Sequence, residues 1–230
     1  MITLKKDFVN ENEKSYCKGR RLSSGTAYYL QKDNGDIVYG GKQCAEEHSN
    51  TDLSQIPDLT KSLIARHDGA TTTGGNNTGT NGTKNDTSKS KAIAYILLRE
   101  EKLSEFKYVN KSLSYSTLSQ YYQSYKENND LSDDAVKHIL NIEKKSSANT
   151  KKKMSLQNLS TCYAYQYILE RTLDYLEQKD NQDGIKYING MIEELHNYCS
   201  LTTNQINGLS KWLQFLPEEL KKAKLKKFSI

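Results

Sequence analysis

Between residues 91 and 216, apolar side chains return every three or four positions, the spacing that lines one face of an α-helix. Ile93, Ile96, Leu97, Leu103 and Phe106 form a first stripe, and Tyr115, Leu118, Tyr122 and Tyr125 a second. Ser132 is placed to cap a helix opening with Asp133 and Asp134, acids that suit the positive end of the helix dipole. The most regular stretch is a pair. Leu159, Cys162, Gln166, Leu169, Leu173 and Leu176 are followed, past a polar turn at 179–184, by Ile185, Ile188, Ile192, Leu195 and Cys199. Two stripes flanking a short turn predict an antiparallel helical hairpin, with Gln166 its one polar intruder. Thr202 and Gln205 have the spacing of a capping box for a helix along Ile206, Leu209, Leu213 and Leu216. Pro217 suits the first position of a last helix running into the lysine-rich end.

Before residue 69 the pattern changes. Residues 27–30 and 36–39 are short β-prone runs joined by Lys32-Asp33-Asn34-Gly35, and Asn-Gly suits a turn that needs positive φ. Gly40-Gly41 ends the second run, residues 43–48 begin a helix, and a further short helical stretch is expected over 59–67. Residues 69–90 are rich in Gly, Thr and Asn with almost no apolar side chain, so nothing offsets the entropy of ordering them. The expected fold is α+β, predominantly α. A small N-terminal β-hairpin/helix module occupies 1–68, a flexible linker 69–90 and a C-terminal helical bundle 91–230.

Composition narrows the classes. Of 230 residues only 35% are apolar and the mean hydropathy is −0.81, so the core must come from well-patterned helices. No run approaches the ~18–20 apolar residues that span a bilayer, and the first residues lack the apolar core of a signal peptide. The reading is a cytoplasmic protein with no membrane partner, whose four cysteines are thiols or ligands rather than disulfides. Cys162 and Cys199 lie on apolar stripes and are expected to be core thiols, while His138 and His196 are expected to be solvated or capping.

Candidate chemistry is concentrated in 14–48. Cys17 precedes the hairpin, Cys44 follows it at a helix start, and His48 stands one helical turn later, so Cys44 and His48 share a face. This order of turn cysteine, β-hairpin, then cysteine and histidine on a helix resembles the treble-clef zinc modules, over about the first fifth of the chain. The resemblance implies zinc on Cys17, Cys44 and His48, with His67 the spare fourth ligand. The first knuckle of that family is usually Cys-x-x-Cys, whereas Cys17-Lys18-Gly19-Arg20 carries arginine at its last position. That departure favours a module that folds without metal, its hairpin packing through Tyr28, Leu30, Ile37 and Tyr39 against Leu59, Leu63 and Ile64.

The formal charge of +5 permits an acidic partner. Lys18, Arg20, Arg21, Lys32 and Lys42 cluster around the hairpin, residues 144–153 hold five lysines and residues 221–227 five more. Such clusters neutralise phosphates, and Tyr28, Tyr29 and Tyr39 stand ready to stack on unpaired bases. No phosphate-binding glycine loop, nucleophile elbow or metalloprotease motif is present. The sequence reads as a non-enzymatic binding protein engaging nucleic acid through a basic zinc-knuckle-like module. The alternative is a viral or mobile-element factor that binds and inhibits or redirects a host protein.

Overall fold

The computed structural model describes residues 1–10, 12–65, 87–111, 116–149, 152–216, 221 and 223–228. Its architecture is α+β, predominantly α. Most of the stretch read as linker, and with it His67 and Pro217, lies outside the described residues. No described helix is long and apolar enough to cross a membrane.

The N-terminal sheet is antiparallel, in the order β1 (Ile2–Phe8), β2 (Thr26–Gln31), β3 (Ile37–Gly40). The expected hairpin joins β2 to β3 through a turn in which Gly35 takes φ +89°, the conformation that Asn-Gly turns supply. Helix α1 (Lys42–His48) packs on its inner face. At Gly40 that packing is close enough to demand glycine, because a Cβ there would meet Cys44 Sγ at 2.8 Å and Leu30 Cδ1 at 3.1 Å. Tyr28, Leu30, Cys44, Ala45 and Ile56 form a small core of their own, with Met1, Val38 and Leu53 at its edge. The expected packing of the hairpin on Leu59 and Leu63 is therefore corrected. Those two leucines belong to the helical core, and Ile37 is an exposed residue.

One short strand stands where a helix was expected over 59–67, and a second follows the helix expected from Pro217, most of which lies outside the described residues. β4 (Leu63–Ala65) pairs antiparallel with β5 (Ala223–Leu225), opposing Leu63 with Leu225 and Ile64 with Lys224. Both runs are too short for a period to be read from them, and each finds its partner across almost the whole chain.

The helices follow the apolar stripes closely. Thr87 caps α2 (Ser88–Leu97), its Oγ1 accepting from the Ser90 N–H at 3.2 Å, so residues 88–90 are helical. Ile93, Ala94, Tyr95, Ile96 and Leu97 are all buried, which makes α2 a central helix. It runs on into a π-helical turn, Leu98–Lys102, where the Leu103 N–H reaches back to the Leu98 carbonyl at 2.9 Å. Then follow α3 (Lys107–Lys111), α4 (Ser116–Asn128) and α5 (Asp133–Asn149), the last with the Ser132 cap in place. α6 (Leu156–Gln178) and α7 (Gln182–Tyr198) form the expected hairpin, and α8 (Thr203–Leu213) starts at the expected capping box. Cys162 and Cys199 are fully buried free thiols, Cys162 donating to the Cys199 carbonyl at 3.3 Å. His196 is half-buried rather than free in solvent. It bonds Gln166 at 3.0 Å and stacks on Phe106 at 4.2 Å, so the polar intruder on the α6 stripe has a partner from α7.

The sheet meets the helices through β1. Phe8 stacks on Tyr167 with ring centroids 4.2 Å apart, and Phe8 and Leu59 lie in the same core as the helices. Beside Phe8, the fully buried Asp7 carboxylate accepts from the Tyr163 hydroxyl at 2.9 Å and from the Phe8 N–H at 2.8 Å. It also pairs with Lys5 at 3.0 Å and with Lys102 of the π-helical turn at 2.9 Å. Glu101 closes the network, 3.2 Å from Lys5 and 3.0 Å from Lys102.

Candidate functional site

Residues 13–22 double back as a tight ribbon. The Leu22 N–H donates to Glu13 at 3.0 Å, the Ser15 N–H to Arg20 at 2.8 Å and the Gly19 N–H to Ser15 at 2.8 Å. Lys14 and Arg21 form a bridge across it, and the Tyr16 N–H ties it to the Tyr39 carbonyl of β3 at 2.8 Å. Cys17 sits in the turn at the ribbon's tip. Helix α1 then brings buried Cys44 in its first turn and exposed His48 at its last position to the same place. The donor atoms of Cys17, Cys44 and His48 lie within 4.8 Å of one another.

The two cysteines are joined as a disulfide, with Cα atoms 6.0 Å apart. That spacing falls inside the range a disulfide requires, because the hairpin fixes the ribbon and α1 against each other. The expectation of free thiols at this pair is thereby corrected. Two sulfurs bonded to each other are not thiolate ligands, so a metal is available to this cluster only after reduction. Once reduced, two thiolates and one imidazole make a donor set that suits zinc and can hold a metal. Arg20, at the usual position of a second knuckle cysteine, is exposed and contributes no ligand atom.

The basic residues read from the sequence divide. Lys18, Arg20 and Arg21 are exposed on the ribbon with no acidic partner among the described residues. Lys18 makes only a long contact with Gln43, at 3.4 Å. Lys42 pairs with Glu46 one turn along α1 at 3.6 Å, and Lys32 lies over the Tyr16 ring at 5.2 Å. Of the tyrosines chosen for stacking, Tyr28 is corrected, and Tyr29 and Tyr39 are each partly buried. Tyr28 is a core residue, and the Tyr29 hydroxyl donates to the Phe8 carbonyl at 2.6 Å. Burial and the nearby Asp7 carboxylate hold the Tyr29 phenol above its ordinary value. Tyr39 is half-buried, its ring packed edge-on against Tyr29 at 4.9 Å.

Among the described aromatic residues of the module Tyr16 is exposed, at 45%, and it lies between Lys32 and the His48 ring. Comparison with protein families, with curated proteins and with solved structures finds no match for this chain.

Proposed function

We propose that the N-terminal module is a treble-clef-like head that binds nucleic acid through its ribbon. The observation that carries this reading is the set of exposed, acid-free cations Lys18, Arg20 and Arg21 beside exposed Tyr16. The cations take backbone phosphates and Tyr16 stacks on an unpaired base, a combination suited to single-stranded nucleic acid. The Cys17–Cys44 link holds the ribbon in position on α1. In the reduced protein, zinc on Cys17, Cys44 and His48 would do the same, its fourth position filled by water or another donor.

The test is a titration of a fluorescent single-stranded oligonucleotide at several salt concentrations. Replacing Lys18, Arg20 and Arg21 together with serine is expected to lower the slope of log affinity against log salt by about 2, at ~0.7 per phosphate contact. Tyr16→Ala is expected to cost ~1–3 kcal/mol with the slope unchanged. Binding that ignores both changes, or no binding at all, would remove this reading.

A further inference from the structure

A second group of basic residues is assembled by tertiary structure alone, and it rests on elements other than the ribbon. Lys6 lies on β1, Lys61 in the segment before β4, Lys91 in the first turn of α2, and Lys226 just beyond β5. Three backbone pairings bring Lys6, Lys61 and Lys226 together, and Lys91 is near enough to Lys61 for its charge to act on it. The Lys6 N–H donates to the Pro57 carbonyl at 2.9 Å and the Leu59 N–H to the Lys6 carbonyl at 3.0 Å, fixing β1 beside the segment that carries Lys61. The Lys226 N–H donates to the Ser62 carbonyl at 3.0 Å, continuing the β4–β5 ladder past its last paired residue.

Asp58 is the carboxylate placed beside Lys6 in this group. Asp58 gives one oxygen to the Thr60 N–H at 2.9 Å and hydroxyl at 2.7 Å, and the other to Lys6 at 3.1 Å. Burial holds the Lys61 ammonium below its ordinary value. Asp58 pushes it back up, while Lys91, Lys226 and Lys6 crowd it down again. Lysines repelling one another around a half-buried ammonium gain from any anion placed among them.

The chemistry of β5 narrows the kind of anion. Leu225 and Phe228 pack against the helical core, Phe228 stacking on Tyr165 at 4.8 Å, while Lys224, Lys226 and Lys227 are exposed. Leu225 and Phe228 are thus turned inward, while the ammonium groups of Lys224, Lys226 and Lys227 face out. Stable anchoring to a lipid surface adds apolar insertion to charge, whereas a phosphodiester backbone needs the charge alone.

We infer that Lys6, Lys61, Lys91 and Lys226, together with exposed Lys224 of β5, form a second contact surface for the phosphate backbone of nucleic acid. This inference rests on the nucleic-acid reading of the ribbon and extends it. The ribbon supplies stacking and one set of phosphate contacts, and the lysine group takes phosphates elsewhere on the same strand or duplex without reading bases.

The experiment uses the full chain and a short random-sequence oligonucleotide, as single strand and as duplex, with anionic phosphatidylserine vesicles as the competing probe. The test variant is Lys91→Ser with Lys226→Ser, both exposed positions, checked for an unchanged melting temperature. Its control is Lys137→Ser with Lys186→Ser, exposed lysines on α5 and α7 that remove the same net charge. The expected result is a ~10-fold loss of duplex affinity at low salt and a salt slope smaller by about 1.8, at ~0.9 per phosphate. The control is expected to change the slope much less. If the test variant matches the control while the ribbon variant still weakens binding, the second surface is overturned and the ribbon stands. If the wild-type chain binds vesicles but neither oligonucleotide, or binds nothing, both readings are overturned.

Discussion

Asp7 shows at the scale of one residue what a buried charge requires. Its carboxylate is fully enclosed, and the cost of leaving water is offset by two ammonium groups, a phenol and a backbone N–H. Asp7→Ala would leave Lys5 and Lys102 with Glu101 alone, and is expected to cost ~3–5 kcal/mol in urea unfolding. Glu101 adds a pH dependence. Burial pushes its carboxyl up, but Lys5 and Lys102 outweigh that and hold it below the ordinary value of 4.5. A group whose folded value is depressed binds its proton more readily once unfolded. Its contribution is therefore complete above the ordinary value and disappears as pH falls from there through the lowered one. Glu101→Gln should flatten that acid limb of the stability profile, and an unchanged limb would show that Lys5 and Lys102 do not favour the charged form of Glu101.

Among the elements, the α6–α7 hairpin and the disulfide-linked ribbon make contrasting demands. Leu169 and Ile188 are fully buried on the two stripes, whereas Leu173 is only partly so. Leu169→Ala is expected to lower stability by ~2–5 kcal/mol, and Leu173→Ala by less because part of its side chain already meets water. Chemical denaturation of the two variants side by side checks the order. The ribbon depends on a covalent link instead, since its small core holds few apolar residues. The link closes a loop with a sequence separation of 27. Cys44→Ser is expected to cost ~2–5 kcal/mol under oxidising conditions, and reduction of the wild type should cost a similar amount. Zinc added to reduced wild type, but not to reduced Cys44→Ser, should restore part of that loss if the three donors take metal. Elemental analysis would give the stoichiometry.

For the molecule as a whole, the sheet and helices share residues that neither could bury alone. Phe8 and Leu59 lie in the helical core, β4 and β5 tie the segment after the sheet to the end of the chain, and Asp7 joins β1 to the π-helical turn and α6. Loss of the sheet would expose that core. Urea unfolding should accordingly be a single transition, with fluorescence of Trp212 in α8 and hydrogen-exchange protection of β2 changing at the same midpoint. Exchange of β2 at markedly lower urea would show that the sheet opens as an independent unit.

Local patterns in the chain were enough to determine its longer helices and its hairpin. A helix stripe, a serine or threonine cap and an Asn-Gly turn are each set by residues a few positions apart, so the α6–α7 pair, the Thr202 capping box and the β2–β3 turn could all be read directly. The donor set Cys17, Cys44 and His48 was legible for the same reason, because one hairpin and one helical turn separate its members. Only the tertiary structure decided the rest. Lys5-Lys6 hides the strand character of β1, because these lysines stand on opposite faces and find Glu101 and Asp58 on distant segments as partners. β4 and β5 have three residues each and acquire meaning only through their pairing. The same holds for the disulfide in place of free thiols, for Tyr16 in place of Tyr28, and for the convergence of Lys6, Lys61, Lys91 and Lys226. Each depends on contacts between residues far apart in the chain, and no periodicity in the sequence encodes such distances.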